Sequence, residues 1–412
     1  MNEELKELVV PRFLRYVTFS TASDQHGTET PSTAGQWDLA RALVHELQEM
    51  GIEDLTLTDH CYVIARIPAS CGKEDRPVIG FMAHLDTVSE LPGNNVKPTV
   101  VERYDGARIQ DSFGNTLLDP AQDHDLRAQI GASLIHTDGT TLLGADDKAG
   151  IAEIMGALDF LLHHPELKHG ALEIIFSPDE ETGKGLPCFP LEAIKACACY
   201  TLDGGGLGEL EIECFNAYQA QVKFKGNVIH LGTARGVLVN ASSMAFSFAG
   251  LLPRAESPEA TDGYYGYYCI TEMGGNLDKA FLEVYIRDFE REGAERRVAA
   301  LSSFARAVEA QFPGGTVSLD VKAQYYNMKE KISESPLVVE HLKRAFEQAG
   351  VTYQMKAIRG GTDGSRLTEL GIPTPNIFTG GHNFHSLNEW ASVPEMVAAC
   401  RVIIELAQEW SK

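Results

Sequence analysis

Residues 171–183 read ALEIIFSPDEETG. Leu172 to Phe176 make a short, nearly continuous apolar run, and three acids in a row, Asp179, Glu180 and Glu181, follow close behind it. A strand that is apolar at successive rather than alternate positions is covered on both faces, as in the parallel sheet of an α/β domain. Ligands of such sheets gather beyond the C-terminal ends of the strands. This strand delivers its carboxylates there.

The same pattern recurs on either side: CYVIARI (61–67), PVIGFMA (77–83), CACYTLD (197–203) and PTPNIF (373–378). Helical patterns lie between them, such as TAGQWDLARALVHELQEMG (33–51), which runs into a glycine stop, and KAGIAEIMGALDFLLHH (148–164). Strands alternating with helices predict an α/β catalytic domain with a mixed, largely parallel sheet flanked by helices. From about Leu210 the strands alternate in polarity instead, in EIECFNAYQAQVKFKG, YYGYYCITEMGG, KAFLEVYIRDFE and TVSLDVKAQYY, with helical stretches near 234–251 and 291–311. That order, β-α-β-β-α-β, predicts a small α+β sheet covered on one face by two helices. Strand–helix alternation resumes at PLVVEHLKRAFEQAG (336–350). The expected organisation is a discontinuous catalytic domain, 1–209 and 329–412, interrupted by an inserted domain at 210–328.

A chain of 412 residues exceeds one ordinary core. Its 58 acidic and 35 basic residues give a formal charge of −23 at pH 7. Both a nucleic-acid backbone and an anionic membrane would repel it at long range, so neither is an expected partner. The opening MNEELKELVVPRFLRYV reads as a charged amphipathic helix rather than a signal peptide. No apolar run approaches membrane-spanning length. Eight cysteines are scattered without paired Cys-x-x-Cys knuckles, which argues against a zinc–thiolate site and fits reduced thiols in a cytoplasmic protein. Cys197 and Cys199 alternate along an apolar segment and are expected to face a core.

Four more polar clusters fall at the ends of elements. AHLDT places His84 and Asp86 just after a strand, and LLGADDKAG puts Asp146 and Asp147 at a helix start. YTLDGGG puts Asp203 at a strand end, and GGHNFHSLNEW supplies His382 and His385. Each alone has a plain structural reading: a helix-capping acid, a turn, a solvated loop. Together they offer imidazoles and carboxylates with no cysteine in a matching place, a donor set suited to a pair of divalent ions, zinc first. Two ions sharing a bridging carboxylate and a water acidify that water and polarise a carbonyl. A spare carboxylate beside the water can serve as general base.

The sequence resembles the peptidase T group, the tripeptide aminopeptidases within the large family of di-zinc exopeptidases and deacylases. The resemblance runs nearly end to end and rests on AHLDT, LLGADDKAG, FSPDEETG, TLDGGG, GTARGVLVNA, YIRDF, QYYNM, RGGTDGS and FTGGHNFH, in the family's order. It implies two zinc ions per subunit, one on His84, Asp146 and Asp203, the other on Asp146, Glu181 and His385. It also implies Glu180 as general base, Asp86 orienting His84, and a cis peptide between Asp146 and Asp147. The inserted domain is expected to form a lid and to make the protein a homodimer. His230, in VIHLGTARG, matches a histidine that reaches the partner subunit's active site and stabilises the oxyanion. Arg287 is the candidate to hold the substrate's free carboxylate, the alternative being an ion pair with Asp288 or Glu290. Asn240 and Arg359 are further candidates for substrate contact.

Two positions depart from the family pattern: Leu231 stands where relatives often have proline, and Asn388 where they often carry a second histidine. His382 sits where the family uses no ligand and reads as a residue behind the ligands or at the surface. The implied reaction is release of the N-terminal residue from a tripeptide by zinc-bound hydroxide. A dipeptidase, a carboxypeptidase or an N-acyl amino acid deacylase would use the same metal residues. A non-catalytic binding protein on this fold would have lost a ligand or the base, and here all of them are present.

Overall fold

The computed structural model describes residues 1–412, which fall into two compact units. The first comprises Met1–Ile212, Lys331–Lys356 and Thr362–Lys412; the second comprises Glu213–Glu330 with Ala357–Gly361. The chain therefore leaves the first unit after Ile212 rather than at 209, and the short stretch 357–361 goes with the second.

Eight strands form the large sheet: β1 (Asp54–Leu57), β2 (Val63–Ile67), β3 (Ile79–His84), β4 (Leu172–Ser177), β5 (Ala198–Gly204), β6 (Glu209–Cys214), β7 (Gln354–Ile358) and β8 (Asn376–Phe378). Their order is β1-β2-β4-β3-β5-β8-β6-β7. The centre, β4, β3, β5 and β8, is parallel, whereas β2 and β6 pair antiparallel on either side of it. The sheet is thus mixed. Strand β6 alternates in polarity like the inserted strands, yet Leu210 and Glu211 register with Ile377 and Asn376 of the large sheet.

The apolar runs are continuous because successive residues feed two cores. Phe81, Ile174 and Tyr200 pack with helices Asn2–Tyr16, Gly35–Glu49, Ala145–His163, Pro336–Gln348 and Val393–Glu409. Their chain neighbours Met82, Ile175 and Cys199 pack on the opposite face, with Leu367 of helix Asp363–Glu369. Burying one such large apolar side chain contributes about 1.5–3 kcal/mol. Glu173, the charge inside the β4 run, is accommodated by Arg66 Nε at 2.9 Å and by the amides of Lys195 and Ala196 at 2.9 and 2.8 Å. Cys197 is exposed, against expectation, because it precedes the strand; Cys199 is buried within it, and all eight cysteines are free thiols.

Four strands too short for a periodicity to register, Thr99–Val101, Leu134–His136, Gly381–His382 and Trp390–Ser392, form a second sheet. It fixes both ends of the loop 383–389. In the second unit, strands Asn216–Lys225, Tyr267–Gly275, Lys279–Asp288 and Thr316–Tyr325 make an antiparallel sheet. Helices Ala241–Ala249 and Arg291–Gln311 enclose its core of Val222, Phe224, Leu282 and Val284 through Met244, Phe248 and Leu301. This is the β-α-β-β-α-β order. No helix is long and apolar enough to cross a membrane.

Candidate metal centre

His84 is the last residue of β3, Asp203 lies at the end of β5, and Glu180 and Glu181 follow β4. The three adjacent parallel strands thus point their C-terminal ends at one place in the first unit. Asp146 and Asp147 enter from the start of helix Ala145–His163, where their φ and ψ are non-helical and the peptide between them is cis. His385 comes from the loop between the short strands of the second sheet.

Asp146 is central. Its Oδ1 lies 2.9 Å from His84 Nε2 and its Oδ2 lies 3.1 Å from His385 Nε2, so one carboxylate faces two imidazoles from opposite oxygens. Asp203 Oδ1 stands 3.6 Å from the same His84 nitrogen, and Glu181 Oε1 stands 3.1 Å from His385 Nε2. On its other side, His84 Nδ1 faces the Asp86 carbonyl at 3.1 Å and Asp86 Oδ1 at 3.3 Å. With Nδ1 donating there, the Nε2 lone pair confronts carboxylate oxygens, an arrangement that requires a proton or a cation between them. Single donor atoms of His84, Asp146 and Glu181 fall within 4.8 Å of one another, as do those of His84, Asp147 and Asp203.

The acid run divides its tasks. Asp179 is wholly buried and accepts from the Ser32 amide at 2.7 Å, the Ser32 hydroxyl at 2.5 Å and Gln36 Nε2 at 2.7 Å. Asp86 accepts from the amides of Glu180 at 3.0 Å and Glu181 at 3.2 Å. The loop is therefore held by an acid of its own at one end and by Asp86 at the other, leaving the Glu180 and Glu181 carboxyls to the cluster. Asp147, by contrast, spends its oxygens on the amides of His84 at 3.1 Å and Gly150 at 3.2 Å. Two contributors were not singled out from the sequence. Glu389 accepts from the amides of Leu143, Gly144 and Asp146. Asp363 accepts from Ser177 Oγ at 2.6 Å. Their only sequence signal is that both lie within motifs already noted, HSLNEW and RGGTDGS.

Burial, and then the crowding of like charges, pushes Glu181 up to about 8, and Glu180 and Asp147 well above the usual carboxylate range. Burial likewise brings Asp203 to about 6 and Asp363 to about 7. An acid cluster this dense, served by only two imidazoles, is stabilised by positive charge. Glu181 Oε1 is moreover buried and off the line of any hydrogen bond, although His385 stands beside it. Hard oxygens and imidazole nitrogens around such an orphan fit a pair of divalent cations. His382 is not part of this set: it is buried, stacked 4.0 Å from the Trp390 ring and bonded to Glu395 at 2.9 Å.

The remaining sequence candidates lie in the second unit. His230 is exposed, and its Nδ1 accepts from the Gly232 amide at 3.1 Å. Asn240 caps helix Ala241–Ala249, its side chain accepting from the Ser242 amide at 2.9 Å. Arg287 lies over the rings of Tyr285 and Tyr325, 4.8 and 5.7 Å from their centroids, and donates to the carbonyls of Tyr218 and Ile286. It pairs with no carboxylate, because Asp288 is taken by Arg297. Arg359 donates to the carbonyls of Thr261, Gly263 and Tyr265 and to the Thr261 hydroxyl.

Comparison with known proteins places this geometry in a family. The chain is 46% identical over 403 residues to a peptidase T of Geobacillus thermodenitrificans, covering 98% of each. It is 44% identical over 407 residues to the peptidase T of Bacillus subtilis, covering 98% of this chain and 99% of that one. Its fold is similar to the crystal structure of the aminopeptidase PepT from Bacillus cereus, with a TM-score of 0.74, 25% identity and 99% of each chain covered. Residues 134–409 match the model of peptidase family M20/M25/M40. With that match over most of the chain and these relatives along nearly all of it, the chain belongs to peptidase family M20/M25/M40.

Proposed function

We propose that this chain is a two-metal aminopeptidase that removes the N-terminal residue from short peptides, tripeptides foremost. The observation that carries the reading is the Asp146 carboxylate, whose two oxygens face His84 and His385 at 2.9 and 3.1 Å. His84, Asp146 and Asp203 would hold one cation, and Asp146, Glu181 and His385 the other; zinc suits this nitrogen and oxygen set. When bound, such a pair supplies Lewis-acid polarisation of a carbonyl and a more acidic water. Relatives named peptidase T and a solved aminopeptidase of similar fold support the choice of substrate.

Glu180 is the general base in this reading. Its amide is pinned by Asp86, so its carboxylate can accept a proton from the attacking water and return it to the departing amine nitrogen. Asp86 also holds Nδ1 of His84 and thereby fixes the ring so that Nε2 faces the cluster. Arg287, with no acidic partner of its own, offers a guanidinium to the substrate's C-terminal carboxylate. His230 would stabilise the developing oxyanion from a second subunit. Asn240 and Arg359 are further candidates for substrate contact, their side chains serving a helix cap and the 261–265 carbonyls respectively. Exposed Val228, Leu231, Val237 and Phe246, all in the second unit, support dimerisation through that unit. Free thiols are consistent with a cytoplasmic location.

The test uses zinc-loaded protein with a free tripeptide, its N-acetyl form and its C-terminal amide, read by mass spectrometry with a chelator control. Release of the first residue from the free tripeptide alone, stopped by chelator, supports the proposal. Release of acetate or of the last residue moves the chain to the deacylase or carboxypeptidase activities of related enzymes.

A further inference from the structure

The Glu389 side chain is 2% exposed, and the three hydrogen bonds it accepts all come from the chain that carries Asp146. Oε2 accepts from the amides of Leu143 at 2.7 Å and Gly144 at 2.8 Å, and Oε1 accepts from the amide of Asp146 at 3.2 Å. The first amides of a helix have no intrahelical acceptor. Here the need is sharper, because Asp146 and Asp147 depart from helical φ and ψ and Gly144 before them is left-handed, with φ of 78°. An anion at this positive helix end is well placed electrostatically.

Glu389 also stands four residues beyond His385 and next to Trp390, which is itself fixed. The Trp390 indole donates to Asp123 at 3.1 Å, its ring stacks on His382, and its strand pairs with Leu134–His136. One anchored segment therefore presents His385 at one end and grips the backbone of Asp146 at the other. That imidazole stands 3.1 Å from the Asp146 carboxylate.

We infer that Glu389 is a positioning residue for the metal pair: by binding the amides of Leu143, Gly144 and Asp146 it fixes the bridging carboxylate against His385. The inference rests on the two-metal reading above. Glu389→Gln isolates it. A glutamine oxygen in the Oε2 position keeps the bonds to Leu143 and Gly144, while its NH2 then faces the Asp146 amide, donor against donor. The loss falls on the bridging residue and leaves most of the local network in place.

The experiment strips full-length protein of metal, measures its thermal unfolding, and titrates zinc against a chelating dye. Glu389→Gln is expected to fold when stripped and to bind zinc roughly ten- to a hundred-fold more weakly than the unmutated chain. Zinc affinity equal to that of the unmutated chain overturns the inference. So does a variant that fails to fold under conditions where the stripped unmutated chain folds, because Glu389 would then serve the fold and not the site. If the unmutated chain itself takes up no zinc, the two-metal reading has failed, an outcome visible before any variant is made.

Discussion

Replacing Asp86 by asparagine changes one oxygen to an NH2 at a site with no solvent access. Asp86 Oδ1 accepts from the Glu180 amide at 3.0 Å and lies 3.3 Å from His84 Nδ1, and Oδ2 accepts from the Glu181 amide at 3.2 Å. The favoured asparagine rotamer keeps its oxygen in the Oδ1 position, where two donors meet. Its NH2 then opposes the Glu181 amide. A buried donor left without an acceptor costs about 1–3 kcal/mol, and the bond lost here was to a charged group. Because that amide sets where the Glu181 carboxylate stands, the cost should appear as weaker binding of the cation that Glu181 and His385 would hold in the proposed reading. A penalty in this range corresponds to roughly a 5- to 150-fold loss in kcat/KM at limiting metal, since about 1.4 kcal/mol is tenfold. The assay is kcat and KM for a tripeptide across a zinc titration, alongside thermal unfolding of the metal-stripped protein. An Asp86→Asn variant that binds both ions and turns over like the unmutated protein would refute the reasoning. It would mean that Asp179, through Ser32 and Gln36, holds the loop unaided.

Glu180→Ala should retain both metals and lose roughly 10²- to 10⁴-fold in kcat, the usual yield of a positioned base; metal analysis with steady-state kinetics decides, and unchanged turnover sinks its role. Glu153 makes a different prediction. It is wholly buried in helix Ala145–His163, neither carboxyl oxygen has a partner, and burial raises its pKa well above the usual value. Its folded state therefore holds the proton, so its contribution to stability is intact below the ordinary carboxylate value and is lost progressively as pH rises from there to the raised value. Glu153→Met should stabilise the protein by about 1–3 kcal/mol, because the unpaired polar atoms are gone. Its advantage in thermal unfolding should grow from about pH 5 to pH 8; a lower melting temperature than the unmutated protein throughout would refute this.

Much of the protein is written locally. The apolar strands, the helices between them and the change to alternating polarity near Leu210 are short-range patterns, so the large sheet and the antiparallel sheet of the inserted unit were legible in the sequence, whereas the sheet of short strands was not. His84, Asp146, Glu181 and Asp203 could be grouped as candidates because each lies at or close to the end of an element whose type the sequence announces, whereas His385 sits in a loop between strands too short to announce themselves. Local pattern alone could not tell Asp179 from Glu180 and Glu181, which only the family resemblance gave separate roles; three adjacent acids look alike until Ser32 and Gln36 claim the first and Asp86 claims the backbone of the others. Nor could it place β6 in the large sheet, because alternating polarity does not name the partner strand; Asn376 and Ile377 do. Glu389 reads as one more acid in HSLNEW, and its partners Leu143 and Gly144 are more than two hundred residues away. The chain's own chemistry selects which groups can hold metal. Only folding decides which of its many acids face that metal and which hold the backbone in place, because a carboxylate's role is set by the donors brought to it from distant parts of the chain.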